Sequence, residues 1–156
     1  MITRELPLRD FLNLVEVEEN EQILLISIKP KFSELILNGK KTLELRKQIP
    51  KKTCRYAIIY ESSPSKGITG TFTIKDIHVK PVHEISWLLS KACVSPQFLS
   101  EYYEGYNNGV VIEIDNAFRL ERKVPLCELR KLMDFVPPQD FCYFDTNMVQ
   151  EVLRRK

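Results

Sequence analysis

Residues 22–47 read QILLISIKPKFSELILNGKKTLELRK, and three elements follow one another within them. The run 22–28 is apolar, β-rich and of strand length, and Pro30 ends it while suiting the first turn of a helix. Phe32, Leu35 and Ile36 then fall at i, i+3 and i+4, the spacing of one helical face, until Asn38-Gly39 supplies a stop after about two turns. The segment 41–47 alternates instead, with Leu43 and Leu45 on one face and Thr42, Glu44 and Arg46 on the other. The stretch therefore reads strand, helix, strand, the second strand polar on one side.

Working outward, further strands are expected at 55–61, 67–77 and 109–115, with turn residues at 62–65 and 107–109. Gly70, inside a strand pattern, predicts a bulge or sharp bend. Helices are expected at 83–92, with Trp87 and its apolar neighbours in the core, and at 95–103, where Ser95 suits the N-cap and Pro96 the first turn. A short helix at 126–132, an aromatic strand at 141–144 and a helix at 147–155 complete the pattern. Residues 1–21 end in an acidic stretch and read as an appendage, in which Leu8, Phe11, Leu12 and Leu14 suit a short packed helix. The expectation is one domain over 22–156, of α+β class, built on a largely antiparallel curved sheet that closes as a small barrel with flanking helices.

At 156 residues, 44% hydrophobic and 28% charged, the chain has the composition of a single globular domain and not of a disordered segment. No apolar run approaches the ~20 residues of a membrane helix, and the N-terminus lacks the layout of a signal peptide, so a cytoplasmic location without a membrane partner is expected. The four cysteines, Cys54, Cys93, Cys127 and Cys142, are widely spaced and read as reduced core residues. His78 and His83 show no ligand spacing, so neither a metal nor any other cofactor is expected.

Charge is unevenly placed. Residues 29–55 hold nine basic side chains against Glu34 and Glu44, a local balance of +7 in a chain whose net charge is +2. Such a segment either steers a polyanion to one face or is an ordinary solvated surface. No nucleophile elbow, Walker loop, zincin motif or dinucleotide fingerprint is present. The candidate site is instead a convergence at strand ends: Lys29, Lys31, Lys40, Lys41, Thr42, Glu44 and Arg46, with Ser62 and Ser63 after the next strand. If the polar face lines a pocket, Arg46 holds a phosphate or base edge by paired hydrogen bonds and Glu44 takes a proton or binds a base amino group. Lys41, among other cations, is a candidate base or nucleophile. If it does not, Glu44 and Arg46 merely neutralise each other.

The spacing G-x-K-T-x-E-x-R from Gly39 to Arg46, preceded by Ser27-Ile28-Lys29-Pro30-Lys31-Phe32, resembles the ASCH domain family. Tyr60–Pro64, Gly67–Gly70 and the closing Pro137–Tyr143 resemble its later motifs, so that the likeness spans roughly residues 23–144. The resemblance implies a PUA-like β-barrel with a cleft lined by the lysine-rich motif, and RNA binding during transcription or translation. Some small members that it resembles remove an acetyl group from modified cytidine nucleosides with a lysine matching Lys41 and a threonine three positions later. Here that later position is Glu44, a departure that points away from the same activity and leaves a Lys41–Glu44 pair for another hydrolysis, RNA cleavage included.

Three functions follow. The first is an RNA- or nucleotide-binding module in which the lysines and Arg46 attract phosphate, Glu44, Ser62 and Ser63 fix a base, and Phe141 and Tyr143 add stacking. The second is a small hydrolase acting on modified nucleosides or RNA through Lys41 and Glu44. The third is a protein-partner module with the acidic N-terminal residues as its handle.

Overall fold

The computed structural model describes residues 5–6, 18, 21–145 and 147–149. Its strands are β1 Glu5–Leu6, β2 Gln22–Ile28, β3 Leu43–Arg46, β4 Tyr56–Glu61, β5 Gly67–Pro81, β6 Asn108–Pro125 and β7 Phe141–Asp145. Its helices are α1 Pro30–Leu37, α2 Val82–Ile85, α3 Leu89–Ala92, α4 Pro96–Tyr102 and α5 Leu126–Leu132.

β2 is apolar without alternation because both of its faces are covered. Ile23 and Leu25 join Ile58, Tyr60, Phe118 and Phe144 in one buried cluster, while Leu24, Ile26 and Ile28 join Ile36, Ile59, Phe72 and Ile112 in another. β2 accordingly sits inside the sheet, parallel to β4 and antiparallel to β7. The sheet runs β1-β6-β5-β4-β2-β7, and β3 attaches to β6 off this path.

The β5–β6 hairpin is longer than its sequence pattern suggests. The expected strands ended at 77 and 115, whereas β5 reaches Pro81 and β6 reaches Pro125. The charged tract 119–123 masks the second half of β6, which pairs with β5 around Gly67–Gly70. Register shifts between Ile68 and Gly70, Thr71 and Thr73, and Ile74 and Asp76 bend the hairpin. Gly70 is at one of these shifts, and a Cβ there would lie 2.5 Å from Leu37 and 2.8 Å from the Phe118 carbonyl. Bent in this way, β6 pairs with β3 through Val110–Glu113 and with β1 at Arg119 and Leu120.

Several expectations need correction. Among the described residues no ladder joins β7 to β1 or β3, so the curved sheet is barrel-like and not a closed ring. The helix expected over 83–92 breaks at Ser86–Leu88 into α2 and α3; Ile85 stays buried, but Trp87 falls in the break and is 74% exposed, edge-on to His83. All four cysteines are free, yet only Cys54 is buried and Cys127 is exposed. The helix expected within 8–14 lies outside the described residues, as does most of the one at 147–155. No described helix is long and apolar enough to cross a membrane.

Candidate functional site

All four residues of β3 are buried, in two directions. Leu43 and Leu45 pack with Ile85, Leu99 and Tyr103. Glu44 and Arg46 point the other way, with side chains 8% and 11% exposed, into an open cleft of about 1100 Å³. Lys41 joins them from the turn after α1. Its backbone N–H donates to the Leu35 carbonyl, 2.9 Å away, and that helix C-terminus fixes where the side chain begins.

Lys41 is 2% exposed although its side chain ends in an ionisable amine. Its Nζ donates to the Ala92 carbonyl at 2.5 Å, is 3.4 Å from Glu44 Oε1 and sits 4.9 Å from the centre of the Phe32 ring. Burial pushes its pKa below the ordinary lysine value, and the Glu44 carboxylate opposes this only in part.

Arg46 is bound on every side. Nε and Nη2 both donate to Glu44 Oε2, at 3.1 and 2.5 Å, and Nη2 also donates to the Ser27 carbonyl at 2.7 Å. Nη1 donates to Asp140 Oδ1 at 2.7 Å and to the Asp140 carbonyl at 3.3 Å. A guanidinium has five N–H groups, and here all five are used. Burial pulls its pKa down, but Glu44 and Asp140 outweigh that and hold it above the usual value. Arg46 is therefore the stitch between β3 and β2 where the sheet has no ladder. The phosphate-holding role expected of it would require breaking these bonds.

The cleft has two unlike walls on either side of this seam. On the β3 side, α4 and its flanks present Val94, Phe98, Tyr102 and Tyr106. Phe98 and Tyr102 are nearly parallel, 13° apart with centroids at 5.8 Å, and the Lys47 ammonium lies 4.7 Å from the Tyr102 ring and 5.0 Å from that of Tyr106. On the other side, the ends of β2 and β4 and helix α5 present Lys29, Ser62, Ser63, Lys66 and Arg130. The segment Pro137–Asp140 completes the lining, held by Ser27 Oγ donating to the Pro138 carbonyl at 2.6 Å and the Ser27 N–H donating to the Asp140 carbonyl at 3.0 Å.

Of the residues singled out from sequence, Lys29, Lys41, Glu44, Arg46, Ser62 and Ser63 meet in this cleft. Lys31 and Lys40 are exposed and are not among its lining residues. Thr42 is exposed and turns to a separate pocket beside Lys75, His78 and Glu113. Phe141 and Tyr143 are half-buried against the core, outside the cleft, and the Tyr143 hydroxyl accepts from the Lys51 N–H at 2.8 Å. Sequence reasoning missed Lys47, Lys66, Arg130 and Asp140, which lie far from the motif or carried no pattern. It also missed the aromatic wall, although Phe98, Tyr102 and Tyr106 recur at i, i+4 and i+8, a signal for one helical face.

A second group of titratable residues was likewise not foreseen. Asp76 and His78 share a face of β5, and Glu113 of β6 brings its Oε2 to 2.5 Å from His78 Nε2, with Asp76 Oδ2 at 3.5 Å. Donor atoms of these three types suit a metal ion, but the three residues are 34–60% exposed and share their surroundings with Lys75, Lys80 and Lys91.

The family model for the ASCH domain matches residues 26–119 of this chain, from within β2 to within β6. The chain belongs to the ASCH domain family. A protein of Zymomonas mobilis subsp. mobilis named an ASCH domain-containing ribonuclease is 28% identical over 131 residues, covering 82% of this chain and 88% of that one. The crystal structure of ASCH from Zymomonas mobilis superposes with a TM-score of 0.79 at 25% identity, covering 85% of this chain and 94% of the other. A serine-to-alanine mutant of that protein gives 0.80, covering 88% and 98%. The N-terminal domain of Staphylothermus marinus McrB, 9% identical with a TM-score of 0.54 over 86% of this chain and 94% of that one, shares the fold alone. The PUA-like barrel-like fold implied by the ASCH motif is thus the one found, and Lys41, Glu44 and Arg46 all lie within the matched span.

Proposed function

We propose that the ASCH cleft binds single-stranded RNA and cleaves it, with Lys41 as the group that exchanges the proton. The observation that carries this reading is the buried Lys41–Glu44–Arg46 cluster at the floor of a large open cleft. Burying three ionisable groups is costly, and a fold seeking stability alone does as well with apolar residues of similar volume. Ionisable groups perturbed by burial inside a cleft are the usual equipment of a reacting site. The Zymomonas mobilis relative named a ribonuclease supplies the substrate class.

The chemistry uses what the cluster offers. A neutral Lys41 amine keeps two N–H groups, which match the Ala92 carbonyl and Glu44, and has a lone pair left to accept a proton. Arg46 holds Glu44, and Glu44 orients Lys41. A ribose 2′-hydroxyl gives its proton to Lys41 as its oxygen bonds to the adjacent phosphorus. The bond from phosphorus to the 5′-oxygen of the next nucleotide breaks, and that oxygen takes a proton from solvent. The products are a 2′,3′-cyclic phosphate and a 5′-hydroxyl end.

The test is a single-turnover assay on labelled single-stranded RNA, run with and without divalent cations, with products resolved by end group. Lys41→Ala is expected to slow cleavage by about 10²–10⁴-fold while leaving the circular dichroism spectrum unchanged. A 2′-deoxy nucleotide at the scissile position is expected to stop it. If the unaltered protein forms no product under either condition, the reading fails. The 2% exposure of Lys41 favours one competing reading, a binding module without turnover, which would give salt-sensitive affinity and no product.

A further inference from the structure

The two walls of the cleft differ in chemistry, and the difference is consistent along each. The wall built on α4 is aromatic: Phe98 and Tyr102 stack on each other, and Tyr106 stands at the rim, 44% exposed. Leu99 of the same segment is 4% exposed and packs with Leu43 and Leu45, so this wall is anchored to β3. Its single cation, Lys47, is placed over the Tyr102 and Tyr106 rings. Burial pushes the Tyr102 hydroxyl up to about 12, so it remains a neutral donor.

The opposite wall is cationic. Lys29 follows β2, Lys66 precedes β5, and Arg130 projects from α5, whose Leu129 is fully buried in the other core cluster. None of these three cations forms an ion pair among the described residues. Between the walls runs the seam crossed by Arg46, with Glu44 and Lys41 in its floor. One strand of nucleic acid has the same division, with flat bases on one side and phosphates on the other. A duplex hides its base faces in the stack and could not present them to Tyr106.

Resting on the reading of the cleft as an RNA site, we infer that it holds a nucleotide crosswise, its base stacked on the Tyr106–Tyr102 wall and its flanking phosphates against Lys29, Lys66 and Arg130. This orientation sets the ribose over the seam, above Lys41. It makes Tyr106 a base-stacking residue and Arg130 and Lys66 phosphate ligands, with separable signatures. Stacking on an aromatic ring is tolerant of base identity and insensitive to salt, whereas each phosphate contact adds to the salt slope.

The experiment measures binding of a short fluorescein-labelled single-stranded 2′-O-methyl RNA, which has no 2′-hydroxyl proton to lose, across a salt series. Tyr106→Ala is expected to weaken binding about tenfold or more with an unchanged slope, and Tyr106→Phe to retain affinity. Lys66→Ala and Arg130→Ala are each expected to flatten the plot of log affinity against log salt by about 0.7. Replacing successive nucleotides by abasic ones is expected to reveal a position whose loss costs the unaltered protein affinity but costs Tyr106→Ala nothing more. If the unaltered protein binds and cleaves RNA, yet Tyr106→Ala flattens the slope, or no abasic position is coupled to Tyr106, the crosswise arrangement is overturned and the ribonuclease reading stands. If the unaltered protein neither binds nor cleaves RNA, both fall.

Discussion

Two clusters of charged residues lie on this sheet, and they are built to opposite rules. Lys41, Glu44 and Arg46 have side chains 2%, 8% and 11% exposed, and every N–H of the guanidinium has a protein acceptor. Asp76, His78 and Glu113 are 60%, 36% and 34% exposed, open to solvent. A buried charge lacking a partner costs several kcal/mol, so the first cluster exists only because its geometry is complete. An exposed pair is worth about 0–1 kcal/mol, so the second asks little of the fold around it. On the proposed reading of the cleft, the difference marks where this chain gives up stability for a site.

The largest expected effect is therefore in the first cluster. Arg46→Ala removes the stitch to Ser27, leaves Glu44 with Lys41 alone and frees Asp140. A loss of about 3–5 kcal/mol is expected in urea unfolding, the range for breaking a buried ion pair by deleting one partner. Arg46→Lys should recover little, because one ammonium offers three donors where five are used. A loss below about 1 kcal/mol would reduce the buried cluster to the level of the exposed one and end the comparison.

Lys41 provides a pH signature of intermediate size. Its pKa is lowered on folding from 10.5, chiefly by burial, so between the folded and unfolded values the unfolded chain binds more protons. Stability from this group therefore rises with pH across that window, reaching its full contribution above 10.5. Lys41→Met is expected to remove that rise from the urea midpoints. The cleavage rate should climb as pH rises toward the lowered folded-state pKa of Lys41 and level off across that window, because the base acts when deprotonated; a rate without that rising limb would take the proton-accepting role away from Lys41.

How much of this was legible beforehand depends on the distance over which each interaction acts. The strand–helix–strand of residues 22–47 is local, and its periods identified β2, α1 and the two-faced β3. Gly70 signalled the bend because only a residue without Cβ fits against Leu37 and the Phe118 carbonyl. The second half of β6 was not legible, since its charges read as loop and only pairing with β5 makes them strand. Within the site, Lys41, Glu44 and Arg46 are neighbours in sequence, but the Arg46–Asp140 pair joins residues 94 apart. That pair decides whether Arg46 can serve a ligand. A basic residue in a motif suggests phosphate binding until its donors are counted in three dimensions.

The smallest expected effect is in the exposed cluster. His78 Nε2 is near two carboxylates, one on its own strand and one on β6. At one-third exposure, water screens both contacts and leaves each close to a surface pair. His78→Ala is expected to change stability by less than about 1 kcal/mol, with the difference shrinking as salt rises toward molar concentration, where the screening length is a few ångströms. RNA cleavage should be unaltered in the same variant, since His78 lines a pocket separate from the cleft of Lys41 and Glu44. A stability loss of several kcal/mol that persists in high salt would show that burial does not distinguish the two clusters. The inference from burial to site would then lose its footing, because it assumes that this chain keeps ionic groups from water only where a reaction needs them.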